Sequence, residues 1–349
     1  MTTALRGGLA RLVDHEELDA DHTAAALDEI MRGEGHPALV GAFLGALRTR
    51  GATVDQVVGA ARTMRLHSAT VTTRRGPLVD NCGTGGDGGS TFSISTAAAL
   101  VAAGAGAAMA KHGNRAASGK FGGADALEAL GVDIEIEAEA MGRCLDEVGM
   151  AFLFARKAHP AMRHVAPTRS ELGIRTIFNL LGPLTNPAGV RRQVIGVAAP
   201  EALRLLSGAL EKLGCEHGLV LHGRDGLDEV SLAAPVDVVE VKDGGRREFV
   251  LDSSSFGLGE LSRDAARVDT LEESVAVLQD VLAGHEGPRA DIVVANAALA
   301  LYVEGRADTP VRGAELARDS IQSGAAADLL ARLVAFTRAP RDGAGDVTE

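Results

Sequence analysis

The sequence predicts an α/β fold in which a small all-helical N-terminal domain precedes a large domain with a mainly parallel central sheet flanked by helices. Three observations predict this class. Residues 1–72 show helical patterns alone, strand-type and helix-type patterns alternate from residue 76 onward, and a glycine-rich loop follows the first predicted strand.

The N-terminal helices are predicted from their end signals. Asp19 or Asp21 is expected to cap the N-terminus of one helix. Pro37 suits the first turn of the next, because its missing N–H is not needed there. Thr53 and Gln56 have the spacing of a capping box, so they predict the start of a third helix.

The large domain is predicted from short apolar runs that alternate with helices. The expected strands of a parallel sheet are residues 78–82, 107–110, 151–154, 194–197 and 219–222. A helix is expected over residues 200–213. Runs 236–241 and 247–251, joined through Gly244 and Gly245, predict a hairpin at one sheet edge. The later expected helices are residues 271–282, 290–304, 310–320 and 325–338, followed by a disordered tail over residues 340–349.

A segment of different character interrupts this alternation at residues 160–187. Prolines divide it, and only short helices are expected there, over residues 169–173 and 176–181. The segment is therefore expected to connect parts of the fold and not to add a strand to the sheet.

The loop after the first strand contains five glycines within seven residues, Gly83, Gly85, Gly86, Gly88 and Gly89. Glycine lacks a Cβ, so several backbone N–H groups can approach one anion. A cluster of hydroxyl residues follows and leads into an alanine-rich helix, where the hydroxyls could cap the helix or reach a metal ion; it includes Ser93, Ser95 and Thr96. The pattern predicts a phosphate site.

Cations and amide donors are expected to gather after the second strand, at Lys111, His112, Asn114 and Arg115. The carboxyl ends of parallel strands are where ligands bind in open α/β sheets. Residues 80–123 carry three basic and two acidic residues, whereas the whole chain has a formal net charge of −12. An anion would therefore be accepted here and repelled by the average surface.

Composition excludes several classes of protein. The chain has no Trp and one Tyr, so it offers few stacking platforms for single-stranded nucleic acid. It has no apolar run of about 18 residues and no signal-type N-terminus. The three cysteines, Cys82, Cys144 and Cys215, are widely spaced and fit reduced thiols. We therefore expect a cytoplasmic protein that binds neither membrane nor nucleic acid.

Three motifs resemble the anthranilate phosphoribosyltransferase family of tryptophan biosynthesis. They are Gly83-Thr84-Gly85-Gly86-Asp87, Ser95-Thr96 and Lys111-His112-Gly113-Asn114-Arg115, and the resemblance extends from about residue 8 to about residue 305. It implies a fold of the nucleoside phosphorylase and phosphoribosyltransferase type. It also implies transfer of the phosphoribosyl group of phosphoribosyl pyrophosphate (PRPP) to the amine of anthranilate, with release of pyrophosphate.

The resemblance further implies specific site residues. Those expected to bind PRPP are Gly83, Gly86, Asp87, Thr91, Ser93, Ser95, Thr96, Lys111, His112, Gly113, Asn114, Arg115, Ala116, Ala117, Ser118, Gly119 and Gly123. Those expected to bind anthranilate are Gly83, Asn114, Arg169, His112, His159 and Met162. Two Mg²⁺ ions are expected on Ser95, Asp228 and Glu229, since carboxylates with phosphate oxygens suit this hard cation. No covalent nucleophile is expected.

The family pattern also implies the domain organisation. The helical domain would comprise residues 1–72, to which residues 160–187 return, and the large domain residues 73–159 and 188–339. A homodimer is expected through the N-terminal helical domain. Ser93 and Phe121 depart from the family pattern, because the family commonly has Asn at the first position and often a small residue or Ser at the second.

Two other functions remain open from the sequence. One is a pyrimidine nucleoside phosphorylase on the same scaffold, which should lack the Asp228-Glu229 pair and the segment around Arg169. The other is a catalytically silent relative that binds nucleic acid, which the negative net charge disfavours.

Overall fold

The computed structural model describes residues 3–86, 88, 91–115 and 121–340. The helices at the N-terminus are α1 (Ala4–Val13), α2 (Ala20–Met31), α3 (Pro37–Arg50) and α4 (Val54–Leu66). The helices that follow are α5 (Ile94–Gly104), α6 (Gly123–Ala129), α7 (Ala138–Val148), α8 (Ala155–Ala158), α9 (Ala166–Leu172), α10 (Phe178–Leu181), α11 (Glu201–Lys212), α12 (Leu271–Leu282), α13 (Pro288–Glu304), α14 (Pro310–Gln322) and α15 (Ala325–Arg338).

The strands form one seven-stranded sheet with the order β3-β2-β1-β4-β5-β6-β7. Their bounds are β1 (Leu78–Gly83), β2 (Ala108–Gly113), β3 (Met150–Phe154), β4 (Arg192–Gly196), β5 (His217–Gly223), β6 (Val236–Lys242) and β7 (Gly245–Leu251). Strands β1 to β5 pair in parallel, and β6 and β7 add an antiparallel hairpin at one edge. The α/β class, the parallel sheet and the edge hairpin are thus confirmed.

The predicted capping signals form the expected hydrogen bonds. The Asp19 side chain accepts from His22 N at the start of α2, and Pro37 occupies the first turn of α3. The Thr53 hydroxyl accepts from Gln56 N while the Gln56 side chain accepts from Thr53 N, completing the capping box of α4. These contacts satisfy backbone donors that the first helical turn leaves unpaired.

Two hydrophobic cores lie on opposite faces of the sheet because successive strand side chains point to opposite sides. In β5, Leu219 and Leu221 belong to the larger core, which contains α5 and α13, whereas Val220 belongs to the second. The second core continues through α11 into the N-terminal helices. The helical part of the chain therefore packs on one face of β4, β5 and β6 as well as on itself.

Residues 160–187 contribute to this second core. The side chains of this segment that are buried in the second core are Val165, Ile177, Phe178, Leu181 and Leu184. The Arg65 side chain on α4 donates to the Leu184 carbonyl at 2.8 Å. Through these contacts, the segment that leads into β4 is packed against the N-terminal helices.

The structure corrects two local predictions. Strand β2 continues to Gly113, so Lys111 and His112 are strand residues and not loop residues beyond the strand. Ser95 and Thr96 lie inside α5, and Ser93 at its N-cap forms no side-chain capping bond. Instead, Glu229 Oε1 accepts from Ser95 N in the first turn at 3.0 Å, and Ser93 N itself donates to the Ser274 hydroxyl on α12. Tertiary partners replaced the local cap that the sequence suggested.

Two further observations concern the rest of the described chain. No helix within it is long and apolar enough to cross a membrane. Cys82, Cys144 and Cys215 are free thiols, as expected. Residues 341–349 of the predicted tail lie outside the described residues.

Candidate active site at the carboxyl end of the sheet

The chain reverses its direction of travel across the sheet at β1. It proceeds from β1 through β2 to β3 on one side and then returns to place β4 on the other side of β1. In open α/β sheets, ligands bind at such a switch point, outside the carboxyl ends of the strands. The glycine-rich loop leaves β1 at this point, beside the end of β4, where Gly83 pairs with Gly196.

Asp228, in the loop after β5, lies across the ends of β1 and β4. A Cβ on Gly83 would overlap Asp228 Oδ2, and a Cβ on Gly196 would overlap the Asp228 carbonyl oxygen. Asp228 Oδ2 also accepts a hydrogen bond from Gly85 N at 3.0 Å. Glycine is therefore required at both strand ends for this carboxylate to reach the loop.

Glu229 links the same loop to the first turn of α5. Its Oε1 accepts from Ser95 N at 3.0 Å, where the unpaired N–H groups of a helix start favour a negative charge. The adjacent residues Asp228 and Glu229 are thus brought beside Ser95, which lies more than 130 positions earlier in the sequence. The described part of the chain contains no group of three or more His, Cys, Asp or Glu that could hold a metal. An ion here would need oxygens from substrate or water, a donor set that fits Mg²⁺.

A buried polar network supports the loop from below. Lys111 is 3% exposed, and its ammonium donates to the Asn81 carbonyl at 2.7 Å and to Asn81 Oδ1 at 3.3 Å. The Asn81 amide in turn donates to the Ser95 carbonyl. Burial lowers the pKa of Lys111, and the neighbouring Asp80 carboxylate opposes that change. Lys111 therefore joins β2 to β1 through its hydrogen bonds, and the Asn81 amide joins β1 to α5.

Asp80 is the fully buried anion of this network. Its Oδ1 accepts from His112 N at 3.0 Å and its Oδ2 from the Asn186 amide at 2.8 Å. Asn186 also donates to the Ala110 carbonyl at 2.7 Å. The carboxylate thereby ties β1, β2 and the segment before β4 together beneath the site.

His112 and His159 form a buried pair. Their Nε2 atoms are 3.2 Å apart, and His112 Nδ1 is 3.0 Å from the Gly182 carbonyl. Since a carbonyl only accepts, His112 donates from Nδ1 and accepts at Nε2 from His159. Burial lowers the pKa of His112, and burial together with His112 lowers the pKa of His159 to about 3. Both rings are neutral at pH 7, and His159 Nδ1 has no hydrogen-bond partner among the described residues.

The low pKa of His159 predicts a pH-dependent stability. Its folded pKa of about 3 lies below the ordinary value of about 6.5, so the unfolded chain takes up a proton first as the pH falls. We expect this residue to remove about 1.4 kcal/mol from the free energy of unfolding between about pH 7.5 and pH 5.5. Urea unfolding at the two pH values measures the change. His159→Asn should flatten the decline and His285→Asn, at an exposed site, should not; parallel declines in all three proteins would contradict the assignment.

Arg169 lies on α9, with its guanidinium 5.3 Å from the centre of the Phe178 ring. Burial lowers the pKa of Arg169. No ion pair within the described residues involves it. A half-buried guanidinium on an aromatic face suits a planar carboxylate partner. Met162 lies in the turn (Pro160–His164) that leads into α9.

Arg115 is held differently, by two acidic residues. It pairs with Asp125 at 2.6 Å and with Glu128, both on α6, and these carboxylates raise its pKa further. Asn114 Oδ1 accepts from Arg115 N at 2.9 Å and so shapes the turn after β2. The positive charge of Arg115 is therefore largely compensated by the protein.

The remaining predicted residues are placed as follows. Thr91 forms an isolated bridge with Arg267. The Thr96 hydroxyl is buried without a hydrogen-bond partner among the described residues, and a Cβ on Gly123 would be 2.6 Å from it. A Cβ on Gly113 would be 2.5 Å from the Phe152 ring. Phe121 packs against the larger core. Asp87, Ala116, Ala117, Ser118 and Gly119 lie outside the described residues.

Sequence reasoning did not assign a role to Asp80, Asn81, Asn186 or Arg175. The first three form the buried network below the loop, and Arg175 donates to the Thr84 carbonyl in the loop itself. The available signal was a charged or amide residue within an otherwise apolar strand, as at Asp80, which a soluble protein buries only with partners. Asn186 and Arg175 carried no such signal.

The fold and this site define a glycosyl transferase with a helical bundle domain and an α/β domain. A model described as the α/β domain of a glycosyl transferase family matches residues 75–327. A second, described as the helical bundle domain of a glycosyl transferase family, matches residues 8–68.

Relatives with known names narrow this class. The anthranilate phosphoribosyltransferase of Rubrobacter xylanophilus is 48% identical over 96% of this chain and 98% of its own length, and that of Symbiobacterium thermophilum is 47% identical over 94% and 96%. The crystal structure of the Thermus thermophilus enzyme of this name has a TM-score of 0.90 at 45% identity, covering 95% of this chain and 99% of that one. The chain belongs to the anthranilate phosphoribosyltransferase family. The resemblance drawn from the motifs is confirmed.

Proposed function

We propose that this chain transfers the phosphoribosyl group of PRPP to the amine of anthranilate, in tryptophan biosynthesis. The observation that carries the proposal is the convergence of Asp228, Glu229 and the glycine-rich loop at the sheet switch point. A 28% identical Saccharomyces cerevisiae relative, with a TM-score of 0.87 and coverage of 95% of this chain and 97% of its own, was solved in complex with PRPP and Mg.

The PRPP end of the site is assigned to the loop and the residues that surround it. The set is Gly83, Gly86, Asp87, Thr91, Ser93, Ser95, Thr96, Lys111, His112, Gly113, Asn114, Arg115, Ala116, Ala117, Ser118, Gly119 and Gly123. Loop N–H groups would bind phosphate oxygens. The buried Lys111 and Asn81 hold β1 and α5 in place through the hydrogen bonds of Asn81 to Lys111 and to the Ser95 carbonyl. Since Phe121 has no polar side-chain atom, backbone N–H groups near it would hold the 5′-phosphate.

Asp228, Glu229 and the Ser95 hydroxyl would hold two Mg²⁺ ions. The donor set of two carboxylates and a hydroxyl beside a phosphate loop fits this cation. When bound, Mg²⁺ neutralises charge that develops on the departing pyrophosphate. The chain itself contributes the positions of the two carboxylates, which Gly85 N and Ser95 N fix by hydrogen bonds.

The acceptor end is assigned to Gly83, Asn114, Arg169, His112, His159 and Met162. Arg169 would pair with the anthranilate carboxylate, and Asn114 would form a hydrogen bond with the amine or the carboxylate. The neutral His112 and His159 pair would line the approach without adding charge. A relative from Saccharomyces cerevisiae, 28% identical to this chain, was solved in complex with 4-fluoroanthranilate.

The reaction needs little proton transfer from the protein. The amine nitrogen forms a bond to the anomeric carbon as the bond from that carbon to pyrophosphate breaks, and the amine proton passes to solvent. An aniline nitrogen is a weak nucleophile, so the protein must chiefly position it and help the leaving group to depart. No side chain is required as a covalent nucleophile. Burial raises the pKa of Cys82, the thiol nearest the loop, well above its usual value, so it is a protonated and poor nucleophile.

The protein is also proposed to form a homodimer through the helical domain, residues 1–72 with 160–187. Leu66 at the end of α4 is 83% exposed and Val13 at the end of α1 is 63% exposed. Residues 73–159 and 188–339 would form the large domain. Sedimentation of wild type and Leu66→Lys at matched concentrations tests the dimer.

The loss of anthranilate fluorescence on mixing the protein with PRPP and MgCl₂ tests the function. Consumption that depends on all three components supports it. Phosphorolysis of a pyrimidine nucleoside without consumption of anthranilate would support the phosphorylase instead. Nucleic-acid binding that weakens steeply with salt, with no turnover, would support the silent relative.

Arg169→Gln tests the acceptor end. Loss of a charge-assisted pair with a carboxylate is expected to raise KM for anthranilate about 10- to 100-fold, while KM for PRPP changes less than about 3-fold. Steady-state kinetics with each substrate varied in turn measures both constants. If KM for PRPP rises instead, the two ends of the site are assigned the wrong way round.

A further inference from the structure

Arg175 lies over the glycine-rich loop and is anchored outside the large domain's sheet. It belongs to the connection between α9 and α10, and its guanidinium donates to the Thr84 carbonyl at 3.3 Å. Ile177 and Phe178, two and three positions after Arg175, are buried in the core shared with the N-terminal helices. The cation that contacts the loop after β1 is therefore held by residues that pack with the N-terminal helices.

Gly86 makes room for this guanidinium. A Cβ at Gly86 would overlap a terminal nitrogen of Arg175 and would lie 2.9 Å from its Cζ. Gly86 also has a φ of +92°, which side-chain-bearing residues rarely adopt. The conformation of the loop and the approach of Arg175 therefore both require glycine at this position.

The charge of Arg175 is available to a ligand. Among the described residues, no carboxylate forms an ion pair with Arg175, and its side chain is exposed. Two cations of the family motifs, Lys111 and Arg115, are already engaged, because Lys111 is buried and donates to Asn81 and Arg115 pairs with Asp125 and Glu128. Asp228 and Glu229 add negative charge to the other side of the same loop.

We propose that Arg175 binds the pyrophosphate group of PRPP, so that the helical side of the protein holds the leaving group. This inference rests on the proposed function, since it names a residue of the same site. The planar guanidinium offers paired N–H donors that match phosphate oxygens. It contacts the loop through its hydrogen bond to the Thr84 carbonyl. Pyrophosphate would replace or share that bond. Because Arg175 is anchored by Ile177 and Phe178, the bound anion bridges the loop and the helical core.

Direct titration of magnesium pyrophosphate into wild type, Arg175→Gln and Arg175→Lys tests the proposal by calorimetry. We expect Arg175→Gln to weaken binding about 10- to 100-fold and Arg175→Lys to weaken it less, because lysine keeps the charge but loses the paired donors. The matched control is Arg191→Gln, an exposed arginine just before β4 that donates to the Gly214 carbonyl and pairs with Glu216, away from the loop. Its affinity for magnesium pyrophosphate should equal that of wild type.

Steady-state kinetics separates a binding role from a structural one. Arg175→Gln should raise KM for PRPP by a similar factor, leave KM for anthranilate within about 3-fold, and unfold at the wild-type temperature. Unchanged pyrophosphate affinity in Arg175→Gln would overturn the inference, as would a wild-type protein that does not bind magnesium pyrophosphate. If wild type binds it through Arg175 but does not consume anthranilate, the proposed function fails and the anion site stands.

Discussion

Asp228→Asn with Glu229→Gln is expected to lower kcat/KM for PRPP by at least about 1,000-fold at every Mg²⁺ concentration. The amides keep the shape of the carboxylates but remove both negative charges, so the ligands proposed for Mg²⁺ are lost. Both residues should still accept from Gly85 N and Ser95 N, so the fold is retained. The anthranilate fluorescence assay with Mg²⁺ titrated in each protein measures the effect.

A matched pair of surface changes controls for net charge. Glu315→Gln with Asp319→Asn removes the same two charges from exposed positions on α14 and should leave kcat/KM within about 2-fold. The thermal midpoint of the Asp228 and Glu229 variant should stay close to that of wild type, because the amide oxygens can still accept from Gly85 N and Ser95 N. Near-wild-type turnover in that variant would remove both residues from the metal site.

Asp80→Asn is expected to lower the free energy of unfolding by about 3 kcal/mol. Asp80 is 0% exposed and accepts hydrogen bonds from His112 N and the Asn186 amide, while its charge offsets that of the buried Lys111. An amide would place an N–H group against one of these donors and leave the lysine uncompensated. Urea unfolding at pH 7.5 measures the loss.

Asp14→Asn is the matched control, since Asp14 is exposed at the end of α1 and its change should stay within about 0.5 kcal/mol. Asn186→Ala should also destabilise, by about 2 kcal/mol, because it removes one of the partners that hold Asp80. Unfolding of Asp80→Asn at the same urea concentration as wild type would show that the charge is not what holds this network.

Much of the fold could be predicted because its signals are local. Pro37 and the pair of Thr53 and Gln56 begin helices through contacts within one turn, and the structure contains those contacts. The hairpin of β6 and β7 likewise follows from two strand-type runs, residues 236–241 and 247–251, joined through Gly244 and Gly245. The glycine-rich loop is equally local, since the positive φ of Gly85 and Gly86 is a property that other side chains would oppose.

The ends of elements depended on distant partners. Lys111 and His112 were expected beyond the strand because both are polar, but β2 includes them. Asn81 accepts the Lys111 ammonium and Asp80 accepts the His112 N–H, so polar side chains and backbone are satisfied inside the sheet. No pattern around residue 111 indicates that Lys111 and His112 have hydrogen-bond partners about thirty positions earlier in the chain.

The sequence by itself determined the α/β class, the order of helices and strands, the phosphate-type loop and the motifs shared with the family. Residue types and short spacings along the chain are enough to predict these features. Only the tertiary structure decided that Asp228 crosses the ends of β1 and β4, that Asp80 and Asn186 join three segments, and that Arg175 reaches Gly86. Each depends on contacts between residues more than 30 positions apart in the sequence, which follow from strand order and core packing and leave no local pattern.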